Sequence, residues 1–168
     1  MELTQSRENH TYTIQNTGLE MRKRMQEVNV YVYTNVKSMY KQDGAISYVL
    51  EVQTSKGLKI LPDAELVEDV TEKKAQIIAL TRALLRLNKP CILNIYTDSS
   101  YVASAYTMGW MERWKKDGWV NAKGKLIANC KEWTELDLQM RKHAYRFHLK
   151  QKHKYREQLK NEAEKKEM

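Results

Sequence analysis

Residues 28–35 read VNVYVYTN, residues 46–53 read ISYVLEVQ and residues 58–62 read LKILP, and these three segments decide the fold. The first two are dense in β-branched and aromatic residues. Turn signals separate the segments: Asp43-Gly44 ahead of the second, Ser55-Lys56-Gly57 ahead of the third. That is the pattern of a three-stranded meander, and Pro62 is expected to end it, because proline cannot donate to a strand ladder. Further on, Asp69 stands three residues before Glu72 in the form of a capping box. Ala75, Ile78, Ala79, Leu80, Leu84 and Leu85 follow at helical spacing, which predicts a helix to about Asn88. After Pro90, CILNIYT at 91–97 is a short apolar run suited to a strand covered on both faces. Ser99 can cap a helix beginning at Tyr101, a further helix is predicted from about Cys130 to His143, and YRFHL at 145–149 reads as a strand before a last charged helix. The order βββαβα…αβα indicates an α/β layered sheet of about five strands with helices on its faces.

Upstream of Val28 the chain is polar and uneven, with one helix-compatible stretch, LEMRKRMQEV at 19–28. Residues 1–27 are therefore read as an extension and 28–168 as the domain. A length of 168 residues suffices for one domain, and no second full domain is expected within it. A hydrophobic content of 42% with 6 Gly and 2 Pro excludes a disordered or collagenous chain. Cys91 and Cys130 are too few for a disulfide scaffold, so no disulfide-linked partner is expected. No apolar stretch approaches the roughly 18 residues of a membrane span. With no apolar leader at the N-terminus, the expectation is a soluble protein of a reducing compartment, the cytoplasm.

The net charge is +8, and its distribution is uneven. Residues 141–168 hold ten Lys/Arg against four Glu and residues 110–131 hold six against two, so these segments carry +6 and +4 while the rest sums to −2. Two basic segments on a small domain are the electrostatic footprint expected for a phosphate backbone. Residues 109–133, GWMERWKKDGWVNAKGKLIANCKEW, contain all four tryptophans interleaved with lysines. Trp110 and Trp114 lie one helical turn apart and should anchor this excursion. Lys115, Lys116, Trp119, Lys123 and Lys125 then offer a grip on nucleic acid, with Trp119 placed to touch a sugar or base.

Asp98 closes a strand at the carboxyl end, where α/β sheets open into ligand crevices. Glu72 sits in the first turn of the preceding helix. Together they can form a hard oxygen site for magnesium or manganese, although each serves equally well as a strand-end or helix cap. His10, His143 and His148 show no spacing with cysteine that would make a zinc site.

YTDSSYV followed by the tryptophan and lysine segment resembles the cellular ribonuclease H family, over roughly residues 28–165. The resemblance implies a ribonuclease H-like mixed five-stranded sheet flanked by helices. It also implies an endonuclease that cuts the RNA strand of RNA/DNA hybrids with two divalent ions, magnesium or manganese. On this pattern Glu72 and Asp98 are metal ligands, His153 is the histidine that assists proton movement, and residues 110–131 form the basic protrusion that binds the hybrid or another duplex. Two departures follow. The first-strand aspartate that bridges both metals is Asn35 here, or Tyr33 in a register shifted by two. The last acidic ligand falls at Ala163, flanked by Glu162 and Glu164, with Glu162 taken as the substitute. A neutral oxygen at Asn35 in place of a shared anion should lower metal affinity and rate. The competing reading is a binding or structural module in which the lost aspartate marks lost chemistry.

Overall fold

The computed structural model describes residues 25–168, so most of the helix-compatible stretch at 19–28 lies outside the described residues. Its last three residues are strand. β1 (Gln26–Thr34), β2 (Gln42–Thr54) and β3 (Gly57–Val70) form the antiparallel meander. β4 (Cys91–Thr97) and β5 (Ala144–Leu149) join in parallel, giving the order β3-β2-β1-β4-β5. The described helices are α1 (Glu72–Leu84), α2 (Ser100–Thr107), α3 (Trp110–Lys116), α4 (Cys130–Met140) and α5 (Arg156–Lys166). The mixed α/β sheet expected from the sequence is the one found.

Alternation along β1 sorts its side chains between two faces. Val28, Val30 and Val32 point into the larger core, with Ile77, Leu80 and Leu84 of α1 and Trp133, Leu136 and Met140 of α4. Tyr31 points the other way, into a smaller cluster with Val49, Tyr155 and Leu159 beneath α5. Because β1 and β4 run parallel and adjacent, their carboxyl ends finish side by side. Asn35 and Asp98 are the next residues out.

Four local expectations are corrected. β3 does not end at Pro62, which pairs with Val49 inside the strand; β3 is an edge strand, where proline is tolerated. Asp43-Gly44 lies within β2, at a shift in the β2–β3 register, and makes no turn before it. Thr71, not Asp69, caps α1, its hydroxyl accepting the Lys74 N–H at 3.2 Å. Asp69 is still in β3, at φ 54°, with its own N–H donating to Asp43. Finally, α1 stops at Leu84 rather than Asn88, because Arg86 and Leu87 donate three residues back, to Ala83 and Leu84, and tighten the last turn.

Candidate active site and nucleic-acid interface

The crevice at the ends of β1 and β4 is lined by Tyr33, Tyr96, Asp98, His153, Arg156 and Lys160, among others. Asp98 is held there by Arg156 of α5, whose Nη1 donates to one carboxylate oxygen at 3.0 Å and Nη2 to the other at 2.9 Å. A second Nη2 bond, to the Gln151 carbonyl at 2.8 Å, fixes the guanidinium plane. These bonds hold the Asp98 carboxyl below its ordinary range, with the charges of Lys37 and His153 adding to the effect. Both oxygens that a cation would use are already engaged by a cation.

Asn35 is likewise committed. Its Oδ1 accepts the Ala45 N–H at 2.9 Å, its own N–H donates back to the Ala45 carbonyl, and its side-chain amide donates to Glu167 at the end of α5. The close approach to β2 depends on Gly44: a Cβ there would meet Val36 at 2.5 Å and Asn35 Oδ1 at 2.8 Å. Tyr33, the alternative residue, lines the crevice, and its phenol is pushed up by burial and by the charges of Glu164 and Asp98.

Glu72 does not meet Asp98 in any contact among the described residues. The α1 side chain that reaches the end of β4 is Gln76, one helical turn later, buried, with Oε1 accepting the Thr97 hydroxyl at 3.4 Å. Glu72 instead donates its backbone N–H to Ser38 in the β1–β2 connection. The sequence hid this because Ala75, Ala79 and Ala83 recur every four residues, so Glu72-x-x-Ala75 and Gln76-x-x-Ala79 present the same pattern. On α5, Glu162 pairs with Lys165 of its own helix at 3.6 Å, while Glu167 bonds to Asn35 and the charge of Glu164 acts on Tyr33. Ala163 is buried.

His153 does share the crevice with Asp98. Its ring centroid lies 4.7 Å from Tyr31 and 5.8 Å from Tyr96, and its Nδ1 accepts the Tyr155 N–H at 3.1 Å. Burial lowers its affinity for a proton and Arg156 lowers it further, with Asp98 opposing.

In the excursion, Trp110, Trp114 and Trp119 form a run of tilted rings at 6.1 and 6.2 Å, and Trp114 continues it to Trp133 at 5.4 Å. All three pack against the larger core. Trp119, expected to face nucleic acid, is half-buried in this run at φ 66°. Lys115 is also spent internally. Its ammonium sits 2.9 Å from buried Asp137, which also accepts from the Tyr106 hydroxyl, and 3.2 Å from Glu112. Lys116, Lys123 and Lys125 remain exposed.

A profile of the RNase H family matches residues 25–164. The chain belongs to the RNase H family. Ribonuclease H of Thermus thermophilus is 40% identical over 83 residues, covering 49% of this chain and 50% of that protein. The matched stretch thus spans about half the length of such curated relatives. Among solved structures, LC9-RNase H1 aligns with a TM-score of 0.66 at 19% identity, over 84% of this chain and 70% of that one. LC11-RNase H1, solved in complex with RNA/DNA hybrid, aligns with a TM-score of 0.55 at 14% identity, over 84% and 99%.

RNase H enzymes use divalent metal ions, and the donor set of this member does not fit them. Two ions about 4 Å apart need several shared anionic oxygens. Here the residue that follows β1 and the α1 residue bonded to the end of β4 are the neutral amides Asn35 and Gln76, and Asp98 is paired with Arg156. Among the described residues no group of three His, Cys, Asp or Glu side chains is spaced to hold a metal ion. Nor, among them, is any helix long and apolar enough to cross a membrane.

Proposed function

We propose that this RNase H-family domain, taken as beginning near residue 28, binds RNA/DNA hybrid and has lost most or all of the family's metal-dependent hydrolysis. The observation that carries this reading is the forked Arg156–Asp98 pair, in which a guanidinium takes the carboxylate that a divalent ion would need. Asn35 and Gln76 support it. An amide matches the shape of its carboxylic acid while removing the charge, so the crevice is preserved as a surface while its electrostatics are dismantled. The basic excess of residues 110–131 and 141–168 supplies the sequence-independent attraction that duplex binding requires. Trp110, Trp114 and Trp119 hold the protrusion in shape, and Lys116, Lys123 and Lys125 meet phosphates.

A second reading, residual hybrid cleavage, is favoured by one observation: the charges of Asp98 and Glu164 both act on half-buried Tyr33 in the crevice wall, so two carboxylates are still felt there. In that reading His153 moves the proton. The test is a labelled RNA/DNA hybrid followed by anisotropy and by gel, in EDTA, magnesium and manganese. The binding reading expects equal affinity in all three and no cut RNA. Metal-stimulated cleavage that disappears in Asp98→Asn would overturn it in favour of the enzyme.

A further inference from the structure

The connection between β1 and β2 holds two large side chains in water on a tethered frame. Met39 is 77% exposed and Tyr40 76%. The backbone beneath them is fixed: Ser38 accepts the Glu72 N–H at 2.9 Å through its carbonyl and the Tyr40 N–H at 2.9 Å through its hydroxyl. Upstream, the Val36 N–H donates to Thr34 Oγ1 at 3.1 Å, and Val36 itself is buried. An adjacent methionine and tyrosine held outward on a frame bonded to α1 are a contact surface rather than a floppy tip.

The surroundings say what the contact is. Lys37 and Lys41 flank the pair and are exposed. Lys37 Nζ lies 4.6 Å from the centroid of Tyr33, a crevice wall, so the tip adjoins the rim of the site. Aromatic and thioether surface set between ammonium groups suits a strand that alternates flat bases with phosphates.

We propose that Met39 and Tyr40 form a stacking wedge for a nucleic-acid strand, Tyr40 against a base or sugar edge and Lys37 and Lys41 against the flanking phosphates. The inference rests on the hybrid-binding reading and adds a site to it. Its residues lie outside the segment 110–131 that forms the basic protrusion.

The test is hybrid affinity of the full chain at three salt concentrations for Tyr40→Ala, Tyr40→Trp and Lys41→Ala, with a hybrid bearing 2-aminopurine as a stacking reporter. Tyr40→Ala should lose about 10-fold in affinity with an unchanged salt slope, since stacking releases no counterions, and should abolish the quenching of the reporter. Tyr40→Trp should retain both. Lys41→Ala should flatten the slope by about 0.9. Melting temperatures should not move, because the substituted side chains are exposed. Affinity of Tyr40→Ala within twofold of wild type overturns the wedge alone, whereas a wild-type protein that binds no hybrid at low salt overturns the hybrid-binding reading and the wedge with it.

Discussion

Arg156 donates to both carboxylate oxygens of Asp98, at 2.9 and 3.0 Å, and so ties the first turn of α5 to the end of β4. Fork-on-carboxylate geometry is the strongest that an arginine makes, but both side chains are roughly two-fifths exposed. Solvent therefore screens the pair.

The first prediction follows from that exposure. In a double-mutant cycle with Arg156→Gln and Asp98→Asn, the coupling measured by denaturant unfolding should be below about 1 kcal/mol. A coupling of several kcal/mol would make the pair a structural pillar rather than an occupied site.

The second concerns which lysines meet phosphate. Lys115 is neutralised by buried Asp137 and by Glu112, so Lys115→Ala should change the melting temperature more than the salt dependence of hybrid binding. Lys116, Lys123 and Lys125 are exposed, and each alanine substitution should flatten the log-log salt slope by about 0.9. Equal slopes for Lys115→Ala and Lys116→Ala relative to wild type would be contrary to this division.

The contrast shows where the sequence was legible. The strands could be read because alternating β-branched residues have one stable use, and the packing of Trp110 and Trp114 because two tryptophans one turn apart must be covered by something. Glu72 and Gln76 could not be told apart because a helix with alanine every fourth residue looks the same one turn along. The internal partners of Lys115 and Trp119 were not legible because each lies in another element: Asp137 of α4 for one, Trp114 of α3 for the other. The sequence showed a missing charge at Asn35, but no local pattern announces that Arg156, 58 residues after Asp98, closes on that carboxylate.

A third prediction concerns acid. His143 is buried, its Nδ1 accepts the Cys91 N–H at 3.0 Å, and burial, aided by Lys142, lowers its pKa from 6.5 to about 4. A group whose folded pKa is depressed contributes no loss above the unfolded value. As pH falls from 6.5 towards 4, the unfolded chain takes up a proton that the folded chain refuses, so stability falls by up to about 1.4 kcal/mol per pH unit. Glu51 acts lower: burial raises its pKa, but bonds from Lys154, Tyr155 and Asn29 outweigh burial and bring it to about 2, so its contribution is lost only below about 4.5. Melts at pH 7.5, 6 and 5 should therefore show a decline that His143→Asn, which keeps an acceptor but does not titrate, reduces, the remainder belonging to groups such as His153 whose proton affinity is also lowered. An undiminished decline in that variant would assign the acid sensitivity elsewhere.

The last prediction asks what is needed to rebuild a metal site. Asn35→Asp alone restores a charge, and its Oδ1 can keep the Ala45 N–H, but the new carboxylate then faces Glu167, to which the amide donates. Repulsion between them favours a bound cation only if Asp98 is also free to share it. Arg156→Gln frees Asp98, yet leaves the neutral Gln76 on α1. Single substitutions should therefore leave magnesium binding undetectable by calorimetry, whereas Asn35→Asp, Gln76→Glu and Arg156→Gln together should create a site that binds manganese first. Manganese leads because magnesium demands near-ideal octahedral geometry and dehydrates reluctantly. Calorimetry on the triple variant decides it: if the three carboxylates bind neither ion while the protein still melts cooperatively, the crevice has lost its ligand geometry as well as its charge. Cleavage by the Asn35→Asp variant alone would instead mean that Arg156 yields to a metal when the hybrid is bound.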